Sequence, residues 1–235
     1  FITAVSAAAF FVGIVTPMSE MSSAQYQSGN GDANAGKAIF ENGKGDVPAC
    51  TSCHGADGMG DDNMGTPRIA GQFAVFLRKQ LEDFATDKRK DTTMFVMNVN
   101  AKGLISKDRN DVSTYLESLK GDFKGSNLKE LAEMGTVVGI ARKGKSLVEW
   151  GQGNRAKPVS ACRSCHGYNG RGAPPVYPII GLQRYNYLVT QLKKWREGSR
   201  TNDPMSQMQI IARNMTDEDI VNAAAYLTNA TPYSD

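Results

Sequence analysis

Apolar positions recur at helical spacing through most of the chain. In "FAVFLRKQLEDFATDK", Phe73, Phe76, Leu77, Leu81 and Phe84 fall on one 3.6-residue stripe, which predicts an amphipathic helix. "SKDRNDVSTYLESLK" places Val112, Tyr115, Leu116 and Leu119 on one face behind Ser106 as expected N-cap. A shorter helix is expected over "NAGKAIFEN". The second half answers each of these with "KGKSLVEWG", "YLVTQLKKW" and "TDEDIVNAAAYLTN", the last with a Thr216 cap and an acidic first turn that suits the helix dipole. No stretch alternates as a half-buried strand would. The fold class read from this pattern is all-α, with long glycine-rich loops between few helices.

The correspondence between the halves is a repeat. Gly55, Gly58 and Gly60 match Gly167, Gly170 and Gly172 at a spacing of 112 residues. Beyond them Pro67 matches Pro178, "FLRKQLEDF" matches "YLVTQLKKW", Met97 matches Met208 and "VSTYL" matches "AAAYL", all at a spacing of 111. The unit is about 95 residues, a duplicated domain rather than a solenoid period. The first helix of the second unit is out of step by two residues, so that either Val148 or Trp150 matches Phe40. The segmentation expected is a hydrophobic anchor over 1–19, a tether over 20–32, a first domain over 33–121, a linker over 122–136 and a second domain over 137–235. Leu128, Leu131 and Met134 predict a short helix in the linker, and Met134 and Met215 read as core filler. "FITAVSAAAFFVGIVTP" carries no charge and reads as an uncleaved membrane helix, with a cleaved signal peptide as the alternative. Both place the remainder outside the cytoplasm, on the periplasmic side of the inner membrane. "SEMSSAQYQSGNGDANAG" has the composition of a flexible tether.

Charge changes the picture modestly. The net charge of +3 is too weak for a nucleic-acid binder. Residues 25–121 carry 12 Lys/Arg and 13 Asp/Glu, whereas residues 122–235 carry 15 and 10. A basic second half suits an acidic partner, with Lys193, Lys194 and Arg196 as the expected contacts.

The chemistry lies in four cysteines and two histidines. Both histidines close a C-x-x-C-H motif, Cys50, Cys53, His54 and Cys162, Cys165, His166. Two thiols at this spacing reach the two vinyl groups of one porphyrin as thioethers, and the adjacent histidine meets the iron as proximal ligand. Zinc needs four converging ligands, and a redox dithiol needs a strand–helix context that is missing here. The cofactors implied are two haem c. With both histidines used, bis-histidine ligation within the chain is excluded, and the distal ligand falls to methionine. The repeat narrows the choice to Met94 or Met97 and to Met205 or Met208 without deciding between them.

With "CxxCHG" twice, "PRIAGQ", "YPIIG", the "QL" helices and "REGSRTND", the chain resembles the dihaem cytochrome c4 family over residues 30–230. The resemblance implies two tandem cytochrome c domains, each binding one covalent haem. It puts the distal ligands on Met97 and Met208, the carbonyls of Pro67 and Pro178 on the proximal histidines, and Phe84 and Trp195 on the haem pockets. The sequence departs from the family in its N-terminus and in "GLQ" at Gly181–Gln183, which reads as a one-residue insertion.

The function expected is electron transfer, not catalysis, because filled axial positions leave no site for a small-molecule substrate. The leading expectation is a membrane-anchored respiratory carrier from cytochrome bc1 to a terminal haem–copper oxidase of the cbb3 or aa3 type, bound as a subunit. The alternative is a dihaem electron-accepting subunit of a periplasmic sulfur-compound or alcohol dehydrogenase.

Overall fold

The computed structural model describes residues 29–91 and 95–232. The anchor expected over 1–19, most of the tether, and Met94 lie outside the described residues. Among the described residues no helix is long and apolar enough to cross a membrane. Those residues form eleven α-helices and no strand longer than an isolated bridge.

The first unit runs through α1 (Ala33–Asn42), α2 (Thr51–His54), α3 (Ala74–Ala85), α4 (Val96–Gly103) and α5 (Ser106–Ser118). After α6 (Leu128–Glu133), the second unit repeats the order as α7 (Ala141–Trp150), α8 (Arg163–His166), α9 (Tyr185–Glu197), α10 (Gln207–Arg213) and α11 (Asp217–Leu227). In each unit the first helix crosses the last: α1 packs on α5, and α7 on α11. Glycine permits that approach. A Cβ on Gly36 would lie 2.1 Å from the Asp111 carbonyl oxygen, and one on Gly144 would lie 1.8 Å from that of Asn222. These two crossings fix the register the sequence left open. Val148 stands four residues past Gly144, as Phe40 stands four past Gly36, and both are fully buried. Trp150 is 75% exposed.

Each unit closes a small core. Ile39, Phe40, Leu77, Leu104, Val112 and Leu116 pack together in the first. Leu147, Val148, Tyr185, Leu188, Ile220 and Leu227 do so in the second, joined by Leu131 of α6. The connecting segment is therefore ordered onto the second unit. Ser126 Oγ accepts from the Tyr185 backbone N–H at 2.8 Å, and Tyr185 Oη donates to the Val137 carbonyl at 2.8 Å.

Three local expectations need correcting. Met215 is buried, but Met134 is 59% exposed, because α6 turns Leu128 and Leu131 to the core and ends at Met134 as its C-cap. Ser106 is not a cap. The Ile105 backbone N–H is taken by the Asp108 carboxylate at 3.2 Å, so Ile105 is the N-cap and Ser106 already helical. "GLQ" holds no insertion. The Gly71 N–H donates to the Leu116 carbonyl at 2.8 Å, and the Leu182 N–H donates to the Leu227 carbonyl at 2.8 Å. Leu182 therefore replaces Gly71, and both are left-handed, at φ 54° and 67°.

Candidate haem sites and the interface between them

The two C-x-x-C-H motifs fold alike. Cys50 and Cys162 open a single helical turn, α2 or α8, which ends in a glycine at φ 78° or 71°. The chain then doubles back: the Gly60 N–H donates to the His54 carbonyl at 2.8 Å, and the Gly172 N–H to the His166 carbonyl at 2.7 Å. Both histidines are buried, and burial holds each ring below its ordinary pKa, so the imidazoles are neutral. Nδ1 of His54 lies 3.1 Å from the Pro67 carbonyl oxygen, and Nδ1 of His166 lies 2.9 Å from that of Pro178. A carbonyl can only accept, so Nδ1 carries the proton and Nε2 keeps its lone pair for a metal. Burial pushes the Cys50 and Cys162 thiols up to about 11, and no disulfide joins the four cysteines. Free thiols beside an oriented imidazole with an available Nε2 are the groups that covalent attachment of a haem c uses. No three His, Cys, Asp or Glu side chains converge on a metal position among the described residues.

On the methionine side, Met97 and Met208 each occupy the second position of a short helix, α4 or α10. An aspartate caps each helix: the Met97 N–H donates to Asp91 Oδ2 at 3.3 Å, and the Met208 N–H to Asp203 Oδ2 at 2.8 Å. A left-handed residue precedes each helix, Phe95 at φ 56° and Ser206 at φ 54°. Met97 and Met208 are half-buried, while Met205 is 80% exposed. Phe84 and Trp195 are both buried, at 7% and 5% exposure, beneath guanidiniums. Arg89 lies 4.5 Å from the Phe84 ring centre and Arg200 lies 4.1 Å from that of Trp195.

The sequence reading missed what joins the two sites. The units meet through side chains related by the same spacing of 111. Gln72 donates to the Ile179 carbonyl at 2.8 Å and accepts from its N–H at 3.0 Å. Gln183 does the same to Arg68, at 3.0 and 2.7 Å. At the far end of the interface Gln80 Oε1 accepts from Arg89 and Arg200 at 2.7 and 3.1 Å, and Gln191 Oε1 accepts from the same pair at 3.0 and 2.8 Å. Burial, and then the Arg89 charge beside it, pull Arg200 down to about 9. Neither guanidinium has a carboxylate within ion-pair distance among the described residues, so the interface is rich in positive charge facing the two aromatic rings. The signal was present in the matched Gln and Arg positions, but nothing in composition marks an arginine as buried.

Two covalent attachment motifs in two small helical units, with neutral histidines oriented by proline carbonyls, define a dihaem c-type cytochrome. The chain belongs to the cytochrome c family, whose model matches residues 33–120 and again 143–231. It holds two haem c and carries electrons. It is 36% identical over 182 residues, 77% of this chain and 78% of the relative, to a thiosulfate dehydrogenase electron acceptor of Stutzerimonas stutzeri. The fold matches the thiosulfate dehydrogenase TsdBA of Marichromatium purpuratum with a TM-score of 0.72 and 31% identity, covering 83% of this chain and 39% of that one. It also matches cytochrome c4 of Pseudomonas stutzeri with a TM-score of 0.69 and 30% identity, covering 86% of this chain and all of that one.

Proposed function

We propose that this chain is the electron acceptor of a thiosulfate dehydrogenase, working outside the cytoplasm. The observation that carries the proposal is the 36% identity over most of a relative that bears this name. The TsdBA likeness supports it. The dehydrogenase alternative is thereby better supported than the expected passage from cytochrome bc1 to a haem–copper oxidase. That respiratory role remains the second reading, favoured by the full-length match to cytochrome c4.

Each haem supplies one reversible Fe(II)/Fe(III) step when bound. Cys50 and Cys53 fix the first porphyrin, and Cys162 and Cys165 fix the second. Nε2 of His54 and of His166, freed by the Nδ1 contacts to the Pro67 and Pro178 carbonyls, would bind the two irons. The sulfurs of Met97 and Met208, held at helix starts by Asp91 and Asp203, would supply the second protein ligand to each. Phe84 and Trp195 would exclude water from the haem pockets, and the positive charge of the Arg89–Arg200 pair above these rings would favour the reduced irons.

The test is to mix the oxidised holoprotein with thiosulfate and a catalytic amount of thiosulfate dehydrogenase. Rapid reduction of both haems is expected. If the dehydrogenase leaves them oxidised while cytochrome bc1 with quinol reduces them, the respiratory reading replaces this one.

A further inference from the structure

The two attachment motifs face solvent through surfaces of opposite charge. Across residues 141–178, from the start of α7 to the proline behind His166, the chain has seven basic residues and one acidic residue. The corresponding stretch of the first unit, residues 33–67, has two basic and five acidic residues. Ion pairing leaves the contrast standing, although Lys143, Arg155 and Arg163 pair with Glu218, Asp219 and Glu149, and Asp62 pairs with Arg184. In the first unit both lysines are engaged, Lys37 with Glu41 at 3.8 Å and Lys44 with Asp108 at 2.5 Å. In the second, Lys145, Lys157 and Arg171 are exposed and have no carboxylate within ion-pair distance among the described residues.

Arg163 and Arg171 lie at the motif, and Lys145 and Lys157 stand on the helix and the loop that precede it. Arg163 lies between the two cysteines and stacks 4.9 Å from the ring centre of Trp150. Its guanidinium lies 3.5 Å from Glu149, which is four residues past Lys145 on α7. The Arg171 side chain packs against Gly167, next to His166, where a Cβ would lie 2.9 Å from Arg171 Cγ. Lys157 sits in the loop closed by the Gln152–Val159 bridge, just before Cys162. Arg163 and Ser164, between the cysteines, are both exposed, so a haem joined to Cys162 and Cys165 would be attached next to this surface. Exposed Trp150 and Tyr168 complete it. Arginine and aromatic residues together are what protein interfaces are enriched in.

We propose that this basic surface, formed by Lys145, Lys157, Arg163 and Arg171 around Cys162 and Cys165, is the docking face for an acidic redox protein. Electrons exchanged with that partner pass through the second haem, and the acidic surface around Cys50 and Cys53 does not serve it. A protein fits better than an anionic membrane, because a bilayer pressed on this edge would block the electron's route. The proposal rests on the electron-carrier identity alone and not on thiosulfate as the ultimate donor. It moves the acidic-partner contact away from Lys193, Lys194 and Arg196: Arg196 is already paired with Asp217 at 2.7 Å, and Lys194 is partly buried.

The test uses the reduced full-length holoprotein and hexacyanoferrate(III), an anionic oxidant that takes one electron from haem iron(II) and becomes hexacyanoferrate(II). The Lys145→Glu, Lys157→Glu, Arg171→Glu variant is expected to react about tenfold more slowly at low salt and to lose the wild-type decline of rate with ionic strength. A control with the same charge change elsewhere, Lys124→Glu, Lys129→Glu, Lys193→Glu, is expected to stay within twofold of wild type. Equal slowing in both variants, or in neither, overturns the proposal. So does a loss of binding to phosphatidylglycerol vesicles in the first variant with its oxidation rates unchanged, which would assign the face to a membrane.

Discussion

The two haem domains share a fold and differ in what surrounds it. In the first, Glu41 is exposed and pairs with Lys37. Its counterpart Glu149 is 3% exposed, accepts from Tyr226 Oη at 3.2 Å and from the Asn169 N–H at 3.3 Å, and draws Arg163 over the attachment helix. The first domain has glycine at the left-handed position before its long helix, and the second has leucine. The features kept in both are the proline carbonyls on the histidines, the aspartate caps of the methionine helices and the glycines at the helix crossings. Duplication has preserved the chemistry and released the surface. One chain can therefore present two different faces to two partners while its redox centres remain alike.

The comparison breaks first at the cofactor. Cys50→Ala with Cys53→Ala should halve covalent haem, measured by pyridine haemochrome, and the corresponding pair at Cys162 and Cys165 should do the same. If either pair left two haems attached, the equivalence of the motifs would be lost. Next in size is the proposed methionine ligand. Met208→Leu should remove one low-spin ferric signal and lower that centre's potential, as Met97→Leu should in the other domain. Met205→Leu should change neither, since Met205 is 80% exposed. Electron paramagnetic resonance with a redox titration reads all three variants.

The interface gives a contrast between arginines. Arg68 is 2% exposed and donates to the carbonyls of Ala70, Gly181 and Leu182 at 2.7, 2.9 and 3.1 Å. Arg68→Met leaves those acceptors buried and unmet and should cost about 3 kcal/mol in a denaturant titration. Arg200→Gln should cost about 1 kcal/mol, because the lost hydrogen bonds are offset by relief of its repulsion with Arg89. Equal losses would mean that the two guanidiniums do not oppose each other.

What the sequence revealed follows the range of the forces involved. The C-x-x-C-H motifs and the long helices α3, α5, α9 and α11 are local patterns, and periodicity shows them. The methionine helices α4 and α10 escaped notice because each is short, mixed in polarity and preceded by a left-handed residue. The register of α7 turned on a contact between Gly144 and Asn222, far apart in sequence, that no pattern within α7 contains. Leu182 read as an insertion against the glycine–glutamine pattern of the resembled family, and the structure instead puts it at a positive φ that is rare for a bulky residue. Here burial outweighs strain: a side chain 7% exposed contributes roughly 2–3 kcal/mol, against roughly 1–2 kcal/mol for the left-handed backbone. Leu182→Gly should therefore destabilise by about 1 kcal/mol, although it restores the residue of the first domain.

The smallest expected effect lies at the entry to the last helix of each domain. Thr216 Oγ1 accepts from the Asp219 N–H at 3.1 Å while Asp219 Oδ2 accepts from the Thr216 N–H at 2.8 Å, a complete capping box. The first domain has only half of it, since Ile105 has no side-chain acceptor and Asp108 alone bonds back. Thr216→Ala should cost about 1 kcal/mol and Ile105→Thr should gain about as much. Asp219 adds a pH signature. Burial works to raise its carboxyl, but Arg155 at 2.8 Å and the Thr216 donors outweigh it and hold the group below its ordinary value. A depressed folded-state pKa means that this contribution is complete above the unfolded carboxylate pKa of about 4 and fades as pH falls through the folded one. The Thr216→Ala penalty, followed by thermal melting from pH 7 down to pH 3, should therefore shrink toward the acid end. A penalty constant over that range would show that the hydroxyl and the carboxylate act independently, and that the second domain gains from threonine alone.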